Sequence, residues 1–495
     1  MEYLFIDSPQ DIDWRLAAET NRHSDLCIAL SGLQGLNLKY VSSGCHSDVV
    51  HCGVKHFHPE VCDKLLLASP SWNFLQCEST IPSSCWLASF HCLMIRKGVL
   101  EKLQVYPEYQ CGHFIAADLA FQVLKKGGTV RYEPDLIVYP EGVPEISIVP
   151  KVDLMRFILR FFGGRSCFFA FPLASIKTRF GPVPRKLGPF RGTFNLTSTT
   201  RRLQIDDYAA IIPTINRYAY LKKAIYSLLN NRRPPAEVIV VDQTPEELRI
   251  PGYYDEFDPK IVKVLFSHRA GQSTARNTAL LNTTFEWVLF FDDDSEAWEE
   301  MIDEHIWLIE HSDADVSTGV SLAPWKDRSY IPEAINFYHV ATVLDTGNCM
   351  MRKDIVEKVG MLDLAFDKGS GADDNLGKRL YLAGKVIIFN PKAIRTHHKA
   401  PVGGLREHGA WWKIKGTYLG PFPLPTESYD FLSFYPRNFY LRLCVYRLLR
   451  SFRRSKLPMN IVNVLLFPIK VFSSYRMAVK LILAEEERSR VPSNK

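Results

Sequence analysis

The chain has 495 residues, of which 46% are hydrophobic and 23% charged, and its formal net charge is +6. This length exceeds one ordinary hydrophobic core, so two or three domains are expected, and the composition is that of a folded protein. Because the net charge is mild and no recognised nucleic-acid-binding motif occurs, we expect no nucleic-acid partner.

The N-terminal sequence, MEYLFIDSPQ, lacks the basic region and long apolar core of a secretory signal. No run of about 18 uninterrupted apolar residues occurs, so no membrane-spanning helix is expected. The 11 cysteines have no compact disulfide spacing, and with the missing signal this favours a reduced, cytoplasmic protein. Cysteines and histidines alternate in one stretch and leave zinc binding open: Cys45, His46, His51, Cys52, His56, His58 and Cys62. Because this stretch has no CxxC pair, idle thiols and surface histidines are the favoured interpretation.

Two parts of the chain resemble each other. The segment CLMIRKGVLEKL from Cys92 resembles CMMRKDIVEKV from Cys349, and AADLAFQVLKKGGTVRYEP from Ala116 resembles ADDNLGKRLYLAGKVIIFNP from Ala372. One offset of 256 residues relates three pairs: Arg96 with Arg352, Asp118 with Asp374, and Gly128 with Gly384. Residues 1–150 are therefore predicted to be a degenerate, partial copy of a later half-domain.

This first copy has lost polar residues. Its opening, EYLFIDSPQ, resembles the later EWVLFFDDDSE, which predicts that the copy begins in the middle of the fold. Pro9 replaces a carboxylate, Ala117 stands against Asp373, and Pro140 stands against His397. Because proline neither chelates nor donates a backbone hydrogen bond, the copy is predicted to be non-catalytic, as a scaffold, acceptor surface or vestige.

Residues 151–206 are predicted to be a junction. It contains LMRFILRFF, a basic, aromatic and helix-like patch that begins at Leu154. FGPVPRKLGPFRG, from Phe180, is punctuated by proline and glycine as linkers are.

Strands and helices alternate from Tyr208. YAAIIPTINR, PAEVIVVDQT and IVKVLFSHRAGQ are predicted strands, and STARNTALLNTT from Ser273 is a predicted helix. Another helix, YLKKAIYSLLNN, has one apolar side formed by Leu221, Ile225, Leu228 and Leu229. This alternation predicts a parallel sheet covered on both faces.

The stretch EWVLFFDDDSE has five large apolar residues that are stopped by Asp292, Asp293 and Asp294. A buried parallel strand has this pattern where it surfaces at its carboxyl end, the edge at which α/β sheets bind ligands. Adjacent carboxylates repel one another unless a cation or several donors neutralise them, and their oxygens suit Mg²⁺ or Mn²⁺. On this run alone, a solvated turn that caps the next helix is an equal alternative.

The ordered motifs resemble the inverting glycosyltransferases of family 2, which have the GT-A nucleotide-diphosphosugar-binding fold. The matching pieces are IIPTINR at 211–217, VIVVDQT at 238–244, AGQSTARNTAL from Ala270, FFDDDSE from Phe290, TGNCMMRK from Thr346, GADDNLGKRLYLAGK from Gly371, NPKAIRTHH from Asn390 and FYPRNFYL from Phe434. The resemblance implies an α/β, Rossmann-like, mostly parallel sheet in a catalytic domain over 207–420, followed by amphipathic helices over 421–495.

The resemblance also implies a metal site and a base. Asp294 would bind Mn²⁺ or Mg²⁺ as the end of a DXD-type motif, and Asp292 would assist or orient the ribose, with Asp293 as its alternate. His397 would be the late ligand, with His398 or a plain surface histidine left open. Asp374 resembles the family's catalytic base, and Asp373 is its acidic neighbour. Both carboxylates would also suit the N-terminus of a helix.

For the nucleotide, the resemblance implies contacts after the first and second strands and in the loop before the second helix. Asp242 would accept a hydrogen bond from a pyrimidine N–H, and Arg276 would either contact the nucleotide or pair with the aspartate strand. The remaining implied residues are Pro213, Thr214, Asn216, Arg217, Gly271 and Asn277.

The implied reaction moves a sugar from a nucleotide donor to a glycan or lipid-linked acceptor in surface-polysaccharide biosynthesis, with UDP sugars favoured and dTDP or GDP sugars as alternatives. A nucleotidyltransferase on a similar sheet and a non-catalytic sugar-binding or scaffold protein are the rival hypotheses.

The carboxyl end is aromatic and basic. WWKIKGTYLGPFPLP, from Trp411, suits a lid over the acceptor cleft. FYLRLCVYRLLRSFRRSK and MNIVNVLLFPIKVF suit a membrane interface better than a membrane span. We expect peripheral contact with the inner face of a membrane, and a packed helix with a solvated basic face is the alternative.

Overall fold

A computed structural model describes residues 203–401 except 368, most of 420–490, and separate segments before residue 171, of which 109–134 and 151–163 are the longest. Outside the described residues lie the linker from Phe180, most of the predicted lid from Trp411, Pro9, Pro140 and most of the cysteine–histidine set.

The N-terminal part contains a six-stranded sheet and two helices. The strands follow the spatial order β1-β2-β5-β3-β6-β4. They are β1 (Tyr3–Ile6), β2 (Leu26–Leu30), β3 (Val49–Cys52), β4 (Ser83–Ser84), β5 (Cys92–Arg96) and β6 (Val130–Tyr132), and the helices are α1 (Gly112–Lys125) and α2 (Lys151–Phe162).

The later part contains a nine-stranded mixed sheet. Its order is β11-β15-β12-β14-β10-β7-β8-β9, and β13 pairs with β15. The strands are β7 (Ala209–Thr214), β8 (Glu237–Asp242), β9 (Val262–Phe266), β10 (Trp287–Phe291), β11 (Ser295–Ala297), β12 (Val316–Leu322), β13 (His339–Val340), β14 (Asn348–Arg352) and β15 (Ile387–His397). The helices are α3 (Tyr218–Leu229), α4 (Gln272–Asn282), α5 (Met301–His311), α6 (Lys353–Lys358) and α7 (Ala372–Leu382).

Strands β7, β8, β9 and β10 are parallel, as their apolar sequences predict, whereas β14 runs antiparallel to both of its neighbours. Alternate side chains of the parallel strands supply two cores. Ile212 packs on one face with Leu221 of α3, and Ile211 packs on the other with Ala275 of α4. Burial on both faces explains the continuous apolar runs in these strands.

The two sheets have the same pairing pattern. In the first, β1 is parallel to β2, β5 is antiparallel to β2 and β3, β3 is parallel to β6, and β4 is antiparallel to β6. In the second, β7, β10, β14, β12, β15 and β13 repeat these six positions with the same directions.

This pattern corrects the correspondence expected from sequence. Strand β1, expected to match the aspartate strand β10, occupies the position of β7, and β2 occupies that of β10. The two helices are related by an offset of 257 residues, one more than the offset found from sequence. Helices α1 and α7 are followed by the left-handed glycines Gly127 and Gly384, whose φ angles are 84° and 75°. Asp118 therefore corresponds to Asn375, and alanines stand against both Asp373 and Asp374.

The two parts contact each other reciprocally. Helix α1 packs on β13, while its equivalent α7 packs on β4, the equivalent of β13. Trp86 stacks on Tyr381 of α7 with ring centroids 5.9 Å apart, and Val340 of β13 joins the N-terminal core. Equivalent elements that exchange contacts in this way form a pseudo-two-fold interface.

Four helices end the described chain: α8 (Pro425–Phe434), α9 (Arg437–Ser451), α10 (Leu457–Leu465) and α11 (Phe467–Arg490). Lys378 of α7 forms a buried ion pair with Asp430, which ties α8 to α7. Ser428 of α8 contacts Tyr440 and Ser474 through their hydroxyl oxygens, at 2.8 and 2.7 Å, and so ties α9 and α11 to α8. Among the described residues, no helix combines the length and apolar character needed to cross a bilayer.

Candidate active site

A cleft of about 380 Å³ opens where β7 and β10 end. The aspartate run lines it, as expected from a strand that surfaces at the carboxyl edge of the sheet. The lining residues are Pro213, Thr214, Ile215, Arg217, Gln243, Gly271, Gln272, Arg276, Asp292, Asp293, Asp294, Gly369, Ser370, Gly371, Ala372, Asp373 and His397.

Asp292 is held between two arginines. One of its carboxylate oxygens accepts a hydrogen bond from Arg276 at 2.8 Å, and the other accepts one from Arg395 at 2.8 Å. Burial opposes the charge of Asp292, but the guanidinium groups of Arg395 and Arg276 outweigh it and lower the pKa of this carboxyl. Asp292 is therefore ionised far into the acid range.

Asp293 faces the first strand. Its carboxylate accepts hydrogen bonds from Thr214 and from Arg217, both at 2.8 Å. Burial raises the pKa of Asp293 to about 6, although Arg217 acts against this. Both donors come from β7 and the loop that follows it, so this side chain fixes that loop.

Asp294 lies beside His397. The Nε2 atom of His397 is 3.3 Å from Oδ1 of Asp294, and the Ala400 amide donates to Oδ2 at 2.9 Å. Ligand atoms of Asp292, Asp294 and His397 all lie within 4.8 Å of one another. Two carboxylates and one imidazole at this spacing fit a Mn²⁺ or Mg²⁺ ion.

His398 points away from this cluster. Its Nε2 atom is 2.5 Å from Oε1 of Glu296, and its ring contacts Tyr220. Strand β15 ends at His397, and the side chain of the next residue turns to Glu296, so of the two histidines His397 is the one beside the aspartates.

The two adjacent aspartates of α7 point in different directions. Asp373 lines the cleft and accepts a hydrogen bond from Thr346, whereas Asp374, an exposed residue, does not line it. The helix begins at Ala372, and consecutive helical side chains diverge by about 100°. Burial, followed by the charge of Asp345, raises the pKa of Asp373 to about 6.

Arg395 is the main site residue that sequence reasoning missed. Its buried guanidinium contacts Asp292, Ser295 at 2.7 Å, and both oxygens of Asp345 at 3.0 and 3.1 Å. An arginine at an otherwise buried strand position was the available signal, but its partners lie 100 and 50 residues earlier.

The predicted nucleotide residues divide into two groups. Pro213, Thr214, Arg217, Gly271 and Arg276 line the cleft with Asp292 and Asp293, and Arg276 is at once a lining residue and a partner of the aspartate strand.

Asp242, Asn216 and Asn277 are not lining residues. The carboxylate of Asp242 accepts hydrogen bonds from Tyr218, Tyr254 and the Thr244 amide, each at 2.9 Å. Asn277 exchanges hydrogen bonds with the backbone of Leu362. Gln243 lies in the cleft next to the buried Asp242.

Comparison with known proteins found partial matches by sequence. The family model for glycosyl transferase family 2 matches residues 209–360. The putative teichuronic acid biosynthesis glycosyltransferase TuaG of Bacillus subtilis (strain 168) is 27% identical over 137 residues, which are 26% of this chain and 54% of that protein. The chain thus spans about half the length of this relative.

Solved structures with partial likeness include GalNAc-T7 with UDP, GalNAc and Mn²⁺, at 12% identity and a TM-score of 0.36, covering 53% of this chain and 62% of that one. Staphylococcus aureus TarS residues 1–349 with UDP-GlcNAc is 19% identical with a TM-score of 0.35, covering 55% and 79%. The mannosyltransferase PcManGT of Pyrobaculum calidifontis with GDP-Man and Mn²⁺ is 17% identical with a TM-score of 0.34, covering 59% and 90%.

The mixed α/β sheet, the aspartate run at its carboxyl edge and the matched family model agree with the fold predicted from sequence. Residues 209–360 of this chain match glycosyl transferase family 2.

Proposed function

We propose that the protein is a metal-dependent, inverting glycosyltransferase that moves a sugar from a nucleotide donor to a glycan or lipid-linked acceptor. The observation that carries the proposal is one cleft that is lined both by the Asp292, Asp294 and His397 cluster and by Asp373. Glycosyl transfer needs charge stabilisation for a departing diphosphate and a base for the attacking hydroxyl.

Asp292, Asp294 and His397 would hold the divalent ion, which neutralises the diphosphate as it leaves. Arg276 lines the same cleft and keeps Asp292 ionised. Thr214 and Arg217 keep Asp293 turned toward β7, so the run presents its outer two carboxylates to the ion.

Asp373 is the proposed base, and this moves the role from Asp374, which the sequence resemblance favoured. Thr346 orients the carboxylate of Asp373, and its raised pKa of about 6 makes it a stronger base than an ordinary aspartate while leaving it ionised at neutral pH. A base that activates the acceptor on the side of the sugar opposite the leaving diphosphate gives inversion in a single displacement.

The donor and the acceptor are proposed as chemical classes. We propose UDP sugars as the first donors to test, followed by dTDP and GDP sugars. The name of the Bacillus subtilis relative, a putative teichuronic acid biosynthesis glycosyltransferase, supports a surface polysaccharide as the product. A cytoplasmic location at the inner face of the membrane would give access to lipid-linked acceptors.

The test is a screen of purified full-length protein against nucleotide sugars, with acceptor, in Mn²⁺, Mg²⁺ or EDTA. We expect release of a nucleoside diphosphate and a product of inverted anomeric configuration by NMR. Release of pyrophosphate would instead support the nucleotidyltransferase alternative. A donor that stabilises the fold without any turnover would support the sugar-binding alternative.

Two neighbouring residues provide matched variants. Asp373→Asn removes the proposed base and is expected to lower kcat by about 10³-fold, within the range for general-base catalysis. Asp374→Asn makes the same chemical change one position along the helix, outside the cleft, and should leave kcat within about threefold. Equal losses in the two variants would contradict the assignment.

We also propose that the N-terminal part is a degenerate, non-catalytic copy that supports α7. Ala116 and Ala117 stand against Asp373 and Asp374, and Asp118 is engaged by Arg160 at 2.8 Å. Trp86→Ala should therefore lower the unfolding temperature and impair α7, while variants of Asp118 should affect stability without changing the chemical step.

A further inference from the structure

Helices α9, α10 and α11 carry exposed apolar stripes. On α9 the stripe is Leu441, Val445 and Leu449, and on α10 it is Ile461, Val464 and Leu465. On α11, Ile469 and Phe472 are 69% and 62% exposed. Residues three and four apart share one face of a helix, so these are continuous stripes rather than scattered positions.

These helices already bury a different apolar face. Leu443 and Cys444 of α9 are buried, and so are Val471 and Ala478 of α11. Packing of these helices on α8 and on one another, and of Ala478 on Phe366 and Ala372, accounts for the inner faces and leaves the outer stripes to be explained. Contiguous exposed apolar surface of this kind marks an interaction site.

Most of this segment is strongly cationic, and its three glutamates, Glu485, Glu486 and Glu487, lie near the end of α11. Residues 437–480 contain ten lysines and arginines and no aspartate or glutamate. Arg442 is exposed beside the α9 stripe, and Arg476 and Lys480 continue the exposed face of α11 beyond Phe472. The guanidinium of Arg476 lies 5.9 Å from the centre of the Phe472 ring.

We propose that α9, α10 and α11 dock on the surface of a bilayer that contains anionic phospholipids, with the apolar stripes among the acyl chains and the cations at the phosphates. An amphipathic helix with a cationic border lies in the interface plane in this way. The complete lack of carboxylates over 437–480 is the charge complement of an anionic leaflet, and each basic residue near such a surface adds attraction.

Vesicle flotation with the full-length protein tests this surface without any substrate. We expect binding to phosphatidylcholine vesicles that contain roughly one third phosphatidylglycerol, little binding to phosphatidylcholine alone, and loss of binding as NaCl rises to about 0.5 M. Equal binding to both kinds of vesicle, or no binding to either, would overturn the proposal.

Paired variants locate the contact. The double variant Ile469→Ser with Phe472→Ser should weaken vesicle binding at least about tenfold, because two side chains no longer insert. Arg476→Gln with Lys480→Gln should weaken it roughly tenfold. The matched control is Trp325→Ser with Tyr330→Ser, which removes two side chains that are 76% and 54% exposed on the catalytic domain.

The control should bind vesicles as the wild type does, and all variants should keep the wild-type unfolding temperature because the changed residues are exposed. A control that loses as much binding as the α11 variant contradicts the assigned surface. If light scattering shows concentration-dependent self-association that Ile469→Ser with Phe472→Ser abolishes, while vesicles do not bind, the occupant is a second copy of this chain and the membrane proposal fails.

Discussion

At the scale of single residues, the three aspartates have different partners and different chemistry. Asp292 is ionised by two arginines, Asp293 is turned to Thr214 and Arg217, and Asp294 lies beside His397. Identical neighbours in sequence therefore divide between the proposed metal cluster and the positioning of the loop after β7. The local run predicts a site but not this division, because the partners come from β7 and its loop, from α4 and from β15.

The raised pKa of Asp373 predicts the acid limb of the pH profile. The proposed base acts only when it is ionised, so kcat/KM should fall about tenfold per pH unit below pH 6. The measurement is kcat/KM against pH at saturating metal ion, with Asp374→Asn giving the same profile. A rate that stays constant down to about pH 5 would argue against Asp373 as the base.

The split of the histidine pair predicts a difference in metal affinity. His397→Ala should weaken Mn²⁺ binding at least about tenfold, because one of three clustered ligands is lost. His398→Ala should bind Mn²⁺ within about twofold of wild type, since that ring contacts Glu296 instead. Calorimetric titration with Mn²⁺ alone separates the two, and a reversed order would identify His398 as the ligand.

Arg395 predicts a large stability effect from one side chain. Arg395→Met leaves Asp292 and Asp345 without their shared guanidinium, and we expect a loss of about 3 kcal/mol in the free energy of unfolding. Arg352→Met is the matched control: this arginine also pairs with two carboxylates, but at the surface of β14, and should cost less than about 1 kcal/mol. Urea unfolding measures both, and similar losses would mean that burial of the pair is unimportant.

At the scale of elements, the sequence predicts the first half of the large sheet well. Apolar runs locate β7, β8 and β10, and the spacing of Leu221, Ile225 and Leu228 locates the buried face of α3. These elements bury whole faces, so their patterns are local. Antiparallel β14 and short β13 depend on distant partners, and sequence periodicity alone does not reveal such pairings.

The same limit applies to the site. Asp373 and Asp374 are equivalent in composition, and only the phase of α7, which begins at Ala372, decides which one enters the cleft. Element boundaries are the least predictable feature of a sequence, and a shift of one residue rotates the choice by about 100°. The choice between His397 and His398 likewise depends on the pairing of β15 with β11.

His305 ties α5 to the sheet and predicts a pH effect on stability. Its ring contacts Ser317 of β12 at 2.7 Å and Asn348 of β14 at 2.9 Å, and burial lowers its pKa to about 4. The unfolded histidine has a pKa near 6.5, so the native state binds fewer protons. Stability is therefore full above about pH 6.5 and falls as pH drops toward 4, by up to about 3 kcal/mol.

Urea unfolding at several pH values measures this slope. His305→Gln should lose the part of the pH dependence that this ring causes, whereas His311→Gln, at an exposed position, should keep it. Equal slopes for wild type and His305→Gln between pH 4 and 6.5 would contradict the assignment.

At the scale of the whole molecule, two sheets of equal pairing pattern pack through equivalent elements. The close approach at Gly127, where an added Cβ would lie 2.2 Å from the carbonyl oxygen of Tyr338, shows how tightly α1 fits the loop before β13. Within the later part, an added Cβ on Gly377 of α7 would lie 2.3 Å from the Thr342 carbonyl oxygen. Close backbone contact thus requires glycine just after α1 at the interface and inside α7 in the later part.

This interface predicts different costs for two similar glycines. Gly127→Ala and Gly163→Ala both place alanine at a positive φ, 84° and 83°, which costs about 1 kcal/mol each. Only Gly127 meets a neighbour, whereas nothing lies within 4 Å of a Cβ at Gly163. Gly127→Ala should therefore lose a further 1–3 kcal/mol, roughly, from overpacking.

Thermal unfolding of the two variants isolates the packing cost, because the backbone strain is common to both. Equal melting temperatures would show that the two parts of the chain do not press on each other at this point.

The pair of guanidinium groups on Asp292 has one more consequence. Charge balance there is supplied by the polypeptide itself, from Arg276 on α4 and Arg395 on β15. In the metal site proposed above, an ion would therefore meet a carboxylate whose charge and orientation the polypeptide already fixes.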